Sequence, residues 1–588
     1  MKAPGALATF ITLASCVAPA PPSPLAAPAP PPTHAAPPTA SAPPAPSAAA
    51  PLVHSEPVIV SIVVDQLAAW VLDERLAALP PDGGFARLAR EGTRVRRLTY
   101  AHAVTDTAPG HAALYTGATP ARTGIFGNEV FDAEGKRTSI LRDAGAQLVG
   151  PHGKLGRAGS SATRLLIPTV SEAFLAASPR GRVVSISWKD RGAILPAGHV
   201  SADRATVLWF DSATDGFVTS TAFAPDLPAF ARAELLAHPA STFRRAPWTP
   251  LDAPWLAAHV QTVDAAPGEG DLEGLGVTFP HPITSAKAMR ATPSSDAMLL
   301  SMAQAALAEP RPGPTLLLLS LSANDYVGHV FGPDSWEAWD ELRRLDRALA
   351  GFFAALDARL GEAGWSAQLS ADHGTVPLPE TLAARPVRAR ERRGCEAADA
   401  FGRPCAGTRI LPDELGARLR KASPAVVGVC DPWVFFREEI RADPNARRAA
   451  ERAVVAALAR EPGVARAVPA SWLAERCGAL AAPAAGRGAT APPDLDALVC
   501  ASWSPGAGDV YVLPKVGAFF DPLQVAGKGM SHGSPYAYDR TVPLLVRAPG
   551  RVARGALVEE APFEAFRASL EGLLGLGPAP AWAAPASR

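Results

Sequence analysis

Residues 58–65 read VIVSIVVD: six β-branched aliphatic side chains around one serine, closed by an aspartate. A continuous apolar run of this length predicts a strand buried on both faces. Four other runs repeat the arrangement. RVVSISW (182–188) leads into Lys189, Asp190 and Arg191, and TLLLLSLS (315–322) leads into Asn324 and Asp325, with His329 just beyond. WSAQLS (365–370) precedes Asp372 and His373, and TVPLLV (541–546) follows Ser531, His532 and Gly533. Between them lie segments such as SWEAWDELRRLDRALAGFFAALDARLGEAG (335–364), whose apolar residues recur at three- and four-residue steps and predict amphipathic helix. Strands alternating with helices predict an α/β fold with a mostly parallel central sheet and helices on both faces. Ligands of such sheets bind beyond the carboxyl ends of the strands.

Those strand ends carry Asp65, Asp325, His329, Asp372, His373 and His532. One aspartate after a strand is ordinarily a turn or cap residue, and one histidine ordinarily a surface residue. Three of each at strand-adjacent positions form a mixed oxygen and nitrogen set suited to zinc or a similar divalent ion. Six ligands exceed what one tetrahedral ion takes and suit two, the arrangement that clamps in-line displacement at phosphorus. The stretch TDTAPGHAALYTG (105–117) adds a hydroxyl at a helix start, where Thr107 is either a cap or a nucleophile.

Taken together, Thr107-Ala108-Pro109-Gly110-His111, Gly127-Asn128, Asp325 to His329, Ala371-Asp372-His373-Gly374 and Ser531-His532-Gly533 resemble the alkaline phosphatase superfamily. The resemblance is to the branch containing nucleotide pyrophosphatases/phosphodiesterases. Trp188 to His199 and Ser531 to Asp539 are similar to the phosphate-irrepressible (PafA-type) alkaline phosphatases, over about residues 58–550. The resemblance implies two zinc ions. Asp65, Asp372, His373 and the nucleophile Thr107 would hold one, and Asp325, His329 and His532 the other. It also implies that Asn128, Lys189 and Arg191 contact the phosphoryl oxygens. Monoester hydrolysis would then pass through a phosphothreonine, two inversions giving net retention. Thr105 is outside the Thr-x-Pro-x-His frame, and Asp106 receives no role. Thr107 is expected to cap its helix as well, at an end where the macrodipole and free N–H groups favour negative charge.

Three rival functions remain. A phosphodiesterase could use the same two-metal site, but would not need two cations for a dianionic phosphoryl group. A sulfatase would need a CxPxR or SxPxR frame. A silent metal- or phosphate-binding lipoprotein would be expected to lack a ligand or the nucleophile.

The 588-residue chain has a formal net charge of zero, which gives no bulk electrostatic reason for nucleic acid as a partner. The expected partners are small phosphate monoesters and a membrane, with the protein a monomer. Lys2 precedes a short apolar run ending in Leu13-Ala14-Ser15-Cys16, which resembles a lipoprotein lipobox with Cys16 the lipidated residue. Residues 17–55 are a Pro/Ala-rich tether with almost no core-forming side chains. Export to the periplasm or cell surface is therefore expected, at the outer membrane because Val17 is not aspartate. Residues 56–386 and 517–575 are expected to form the catalytic domain, 387–516 an inserted α+β cap, and 576–588 a flexible tail. Of the cysteines after Cys16, Cys395–Cys405 and Cys477–Cys500 are near enough in sequence to pair, leaving Cys430.

Overall fold

The computed structural model describes residues 56–310, 312–384, 401–480, 494–522, 524–578 and 580–583. Eight elements carry the site: β1 (Val58–Val64), α1 (Thr107–Thr116), β2 (Arg182–Ser187), α2 (Asp190–Ala197), β3 (Thr315–Leu321), α3 (Ala323–Phe331), β4 (Trp365–Ser370) and β5 (Thr541–Arg547). β1 lies at the centre, hydrogen-bonded in parallel to β3 on one side and β4 on the other. β2 continues the parallel set beside β3, followed by Ala205–Asp211. Every residue of β1, β3 and β4 is buried, as the nearly continuous apolar runs of β1 and β3 require, and Ser366, Gln368 and Ser370 of β4 are buried with them. Two groups of helices pack over the sheet. One contains α1, α2 and Glu564–Leu574, and the other α3, Pro293–Ala308 and Trp336–Leu360.

Parallel pairing is confined to the middle of this eleven-stranded sheet and one flanking pair. β5 runs antiparallel to β4 and to Thr93–Thr99, and the far flank, Gly216–Ser220 with Arg142–Gly150 and Gly153–Ser160, is antiparallel throughout. The reversal of β5 has a direct consequence for the site. His532 precedes its strand, whereas Asp65, Asp325 and Asp372 follow theirs. Because β5 is reversed, its amino-terminal end lies at the carboxyl edge of the parallel strands, so all four loops meet on one side.

Within the inserted region, Val426–Cys430, Trp433–Phe436, Val510–Pro514 and Val464–Pro469 form a separate four-stranded sheet. Leu415, Leu419, Val454 and Leu458 from two helices pack on it, an α+β arrangement. Its apolar cluster also takes Ala518 and Phe520, because Ala518–Phe520 pairs with Thr408–Ile410, so the packing unit runs past the expected boundary at 516. Cys477 and Cys500 form a disulfide joining two of its helices. Cys405 is disulfide-bonded as well, while its expected partner Cys395 lies outside the described residues, and Cys430 is a free, buried thiol. Cys16 and the tether also lie outside the described residues. Among the described residues no helix is long and apolar enough to cross a membrane.

Candidate active site

Two clusters of potential metal ligands form at the carboxyl edge. Asp65, Asp372 and His373 offer ligand atoms within 4.8 Å of one another, and so do Asp325, His329 and His532. Asp65 ends β1, Asp372 and His373 follow β4, and His532 precedes β5. Asp325 and His329 are one helical turn apart on α3, which puts both side chains on one face. Asp296 fixes the start of that helix, its Oδ1 accepting the N–H groups of Ser322 at 3.0 Å and Ala323 at 3.2 Å.

The three histidines share a tautomer. The Nδ1 atoms lie at backbone carbonyls: His329 at Met530 (2.8 Å), His373 at Gly374 (3.1 Å) and His532 at Thr105 (3.0 Å). A carbonyl can only accept, so each ring carries a proton on Nδ1 and turns Nε2 toward its carboxylate cluster. That outer hydrogen bond is how proteins orient metal-binding imidazoles. Asp65 Oδ1 and His373 Nε2 are buried without hydrogen-bond partners among the described residues. Burial, with Asp325 and Asp372 nearby, holds the Asp65 carboxyl above its ordinary range. Burial alone would lower the pKa of His373, but Asp372, Asp65 and Asp325 push it up to about 10. A concentration of negative charge with ligand atoms aimed inward fits divalent cations.

Thr107 opens α1 and is almost wholly buried. It is not the cap, contrary to expectation. Asp106 is: its Oδ1 accepts the Thr107 N–H at 3.1 Å and an Asn128 Nδ2 proton at 2.5 Å. Asn128 Oδ1 in turn accepts the Ala108 N–H at 2.8 Å, and Pro109 has none. The free N–H groups expected at this helix end are therefore spoken for, and the macrodipole is what remains to favour negative charge there. One Asn128 amide proton is left for a ligand. Gly110 lets α1 approach the sheet, since a Cβ there would lie 2.1 Å from the Asp372 carbonyl oxygen. His111, whose function the sequence did not reveal, donates from Nδ1 toward Thr107 O (2.9 Å) and Asp372 Oδ2 (3.1 Å).

Lys189 caps the loop between β2 and α2, with Arg191 inside the helix. Lys189 Nζ reaches Asp325 Oδ2 at 2.5 Å, Asp65 Oδ2 at 2.7 Å and Thr107 Oγ1 at 3.3 Å. It thus stands between the two carboxylate clusters and within reach of any group attached to Thr107. Thr107, Asn128, Lys189, Arg191, Asp325, His329 and His532 line one cleft of about 160 Å³. Glu129, Tyr326, Asp431 and Gln524 share its walls and were not singled out from the sequence. Tyr326 on α3 directly follows Asp325, and Glu129, which opens the strand Glu129–Phe131, directly follows Asn128. Gln524 and, from the inserted region, Asp431 reach the cleft from segments that no local pattern marks.

The model of the type I phosphodiesterase / nucleotide pyrophosphatase family matches residues 59–392. Alkaline phosphatase PhoV of Synechococcus elongatus is 34% identical over 336 residues, covering 55% of this chain and 60% of that protein. Alkaline phosphatase PhoK of a Sphingomonas species is 30% identical over 505 residues, 83% of each chain. The crystal structure of wild-type alkaline phosphatase PafA superimposes with a TM-score of 0.72 over 91% of this chain and 98% of that one, at 24% identity, a likeness of fold.

Proposed function

Because the chain belongs to the type I phosphodiesterase / nucleotide pyrophosphatase family, in its alkaline phosphatase branch, we propose that it is a metal-dependent phosphomonoesterase using Thr107 as nucleophile. The observation that carries this reading is the position of Thr107. Its hydroxyl lies in the cleft 3.3 Å from Lys189 Nζ, which itself touches one carboxylate of each ligand cluster, Asp65 and Asp325.

Two divalent ions, zinc by resemblance, would be held by Asp65, Asp372, His373 and Thr107 and by Asp325, His329 and His532. They would supply Lewis-acid stabilisation of the attacking and leaving oxygens. The remaining chemistry belongs to the chain. Thr107 Oγ forms the new bond to phosphorus as the ester oxygen departs with its electron pair. Water then displaces Oγ, releasing phosphate and restoring the threonine. Lys189 and Arg191 neutralise the extra charged oxygen that separates a monoester from a diester, Arg191 in forked geometry and Lys189 as a point charge. The free Asn128 proton binds a further oxygen. Asp106 sets both of these partners, since one oxygen holds the Thr107 backbone and the Asn128 amide together. Phosphoryl transfer asks mainly for positioning and charge stabilisation, which this set provides.

The test is hydrolysis of a simple phosphate monoester at alkaline pH by the purified chain, before and after chelation. Activity should vanish with the metal and return on adding zinc, and activity indifferent to chelation would contradict the proposal. We also propose that Cys16 anchors the protein to a membrane through lipid, on the strength of the lipobox-like Leu13-Ala14-Ser15-Cys16. Cys16→Ala should move the protein from the membrane fraction to the soluble one.

A further inference from the structure

Gln66 follows Asp65 directly and adopts a φ of 66°, a left-handed conformation that persists in a non-glycine residue only when its surroundings enforce it. That turn aims two donors in different directions. The backbone N–H reaches Asp372 Oδ1 at 3.1 Å, and side-chain Nε2 reaches Asp325 Oδ1 at 2.8 Å. The two acceptors belong to different ligand clusters. The remaining amide atom, Oε1, accepts from Thr375 Oγ1 at 3.2 Å. The residue is 1% exposed, and α3 makes room for the amide through Gly328, where a Cβ would lie 2.0 Å from Oε1.

We propose that Gln66 is a positioning residue that sets the separation of the two metal-ligand clusters. The inference rests on reading those clusters as a paired metal site. The position demands an amide. Nε2 must donate to a carboxylate and Oε1 must accept a hydroxyl proton, which no aliphatic side chain does. A glutamate would set a like charge against Asp325 and Asp372. An oxygen of Asp325 held at 2.8 Å from Gln66, which is itself tied through its backbone to Asp372, has little freedom to drift from the other cluster.

The experiment compares wild type with Gln66→Ala, Gln66→Glu and Gly328→Ala, the last keeping Gln66 but displacing its amide. Bound zinc per chain is measured by elemental analysis across a chelator titration, with thermal unfolding of the metal-stripped proteins and kcat and KM on a monoester. Outer partners of metal ligands typically contribute about 10–100-fold to affinity or activity. Gln66→Ala and Gly328→Ala should therefore release metal at roughly 10–100-fold lower chelator concentration, with Gln66→Glu worse. kcat should fall over a similar range with KM within about threefold, because Asn128, Lys189 and Arg191 are untouched. The metal-stripped forms should unfold as the metal-stripped wild type does. Wild-type metal retention and kcat in Gln66→Ala would overturn the inference, as would a metal-stripped form destabilised as much as the loaded one. Gly328→Ala reads the same contact if Gln66→Ala is not recovered. Wild-type protein that binds no divalent metal would overturn the paired-site reading itself and the inference with it, a result distinct from the others.

Discussion

The two ligand clusters differ in their access to solvent. Asp65, Asp372 and His373 are each 0% exposed, whereas His329 and His532 are each 7% exposed and line the cleft together with Asp325. None of the first three reaches the cleft wall. Lys189, which lines the cleft, touches the sealed cluster at Asp65 Oδ2, whereas His329 and His532 place the other cluster at the cleft wall itself. In the proposed mechanism the dry cluster would strengthen the electrostatics around the attacking oxygen, and the open one would permit alcohol and water to exchange without moving the scaffold. Under that proposal, attack and departure are divided by burial.

The largest expected effect comes from removing the proposed nucleophile. Thr107→Ala should lower monoester kcat by on the order of 10⁴-fold or more, with bound metal largely retained. A loss of only a few-fold would leave the sealed cluster without a nucleophile to serve. Next come the cations proposed to bind the phosphoryl group, Lys189 and Arg191. Lys189→Ala and Arg191→Ala should each cost about 10²–10³-fold on monoesters, as loss of one charge-stabilising donor does elsewhere, and far less on diesters. Equal losses on both substrates would favour the diesterase reading.

The contrast in burial itself predicts that the two ions leave at different rates. During timed chelation of wild type, metal release should be biphasic, the solvent-facing half leaving at least about tenfold faster and activity decaying with it. A single phase would erase the distinction between sealed and open. The smallest effect lies outside both clusters. Burial lowers the pKa of His102 to about 3, and both its ring nitrogens lack hydrogen-bond partners. Below pH 6.5 the unfolded chain binds a proton there that the folded protein refuses. Stability should therefore fall as pH drops from about 6.5 toward 3, by up to about 1.4 kcal/mol per pH unit from this group. His102→Phe, which suits the neighbouring rings of Tyr100 and Phe563, should flatten that slope in urea unfolding series. An unchanged slope would show that His102 is not its source.

The gathering of the strand-end Asp and His residues was legible in the sequence because each sits beside a buried run, and a parallel sheet gathers such positions whatever their separation. The direction of β5 was not legible, since an apolar run reads alike in either sense, yet that direction is what brings His532 to the site. Asp106 carried a usable signal: an aspartate before a helix start is among the best N-caps. Thr107 beside it is a good cap residue too, so the local pattern alone fits either position. Gln66 and Asp296 carried none, because their partners are remote in sequence and no spacing links them. His111 lay inside the recognised frame, but its hold on Asp372 depends on how closely α1 packs at Gly110. Local pattern located the chemistry; tertiary packing determined what orients it.

The most direct measurement compares kcat/KM for a phosphate monoester and a diester sharing one leaving group, on the same zinc-loaded preparation. With Lys189 and Arg191 placed for a dianionic group, the monoester should be preferred by roughly a hundredfold or more. A diester hydrolysed as well as the monoester, or better, would contradict the phosphomonoesterase assignment.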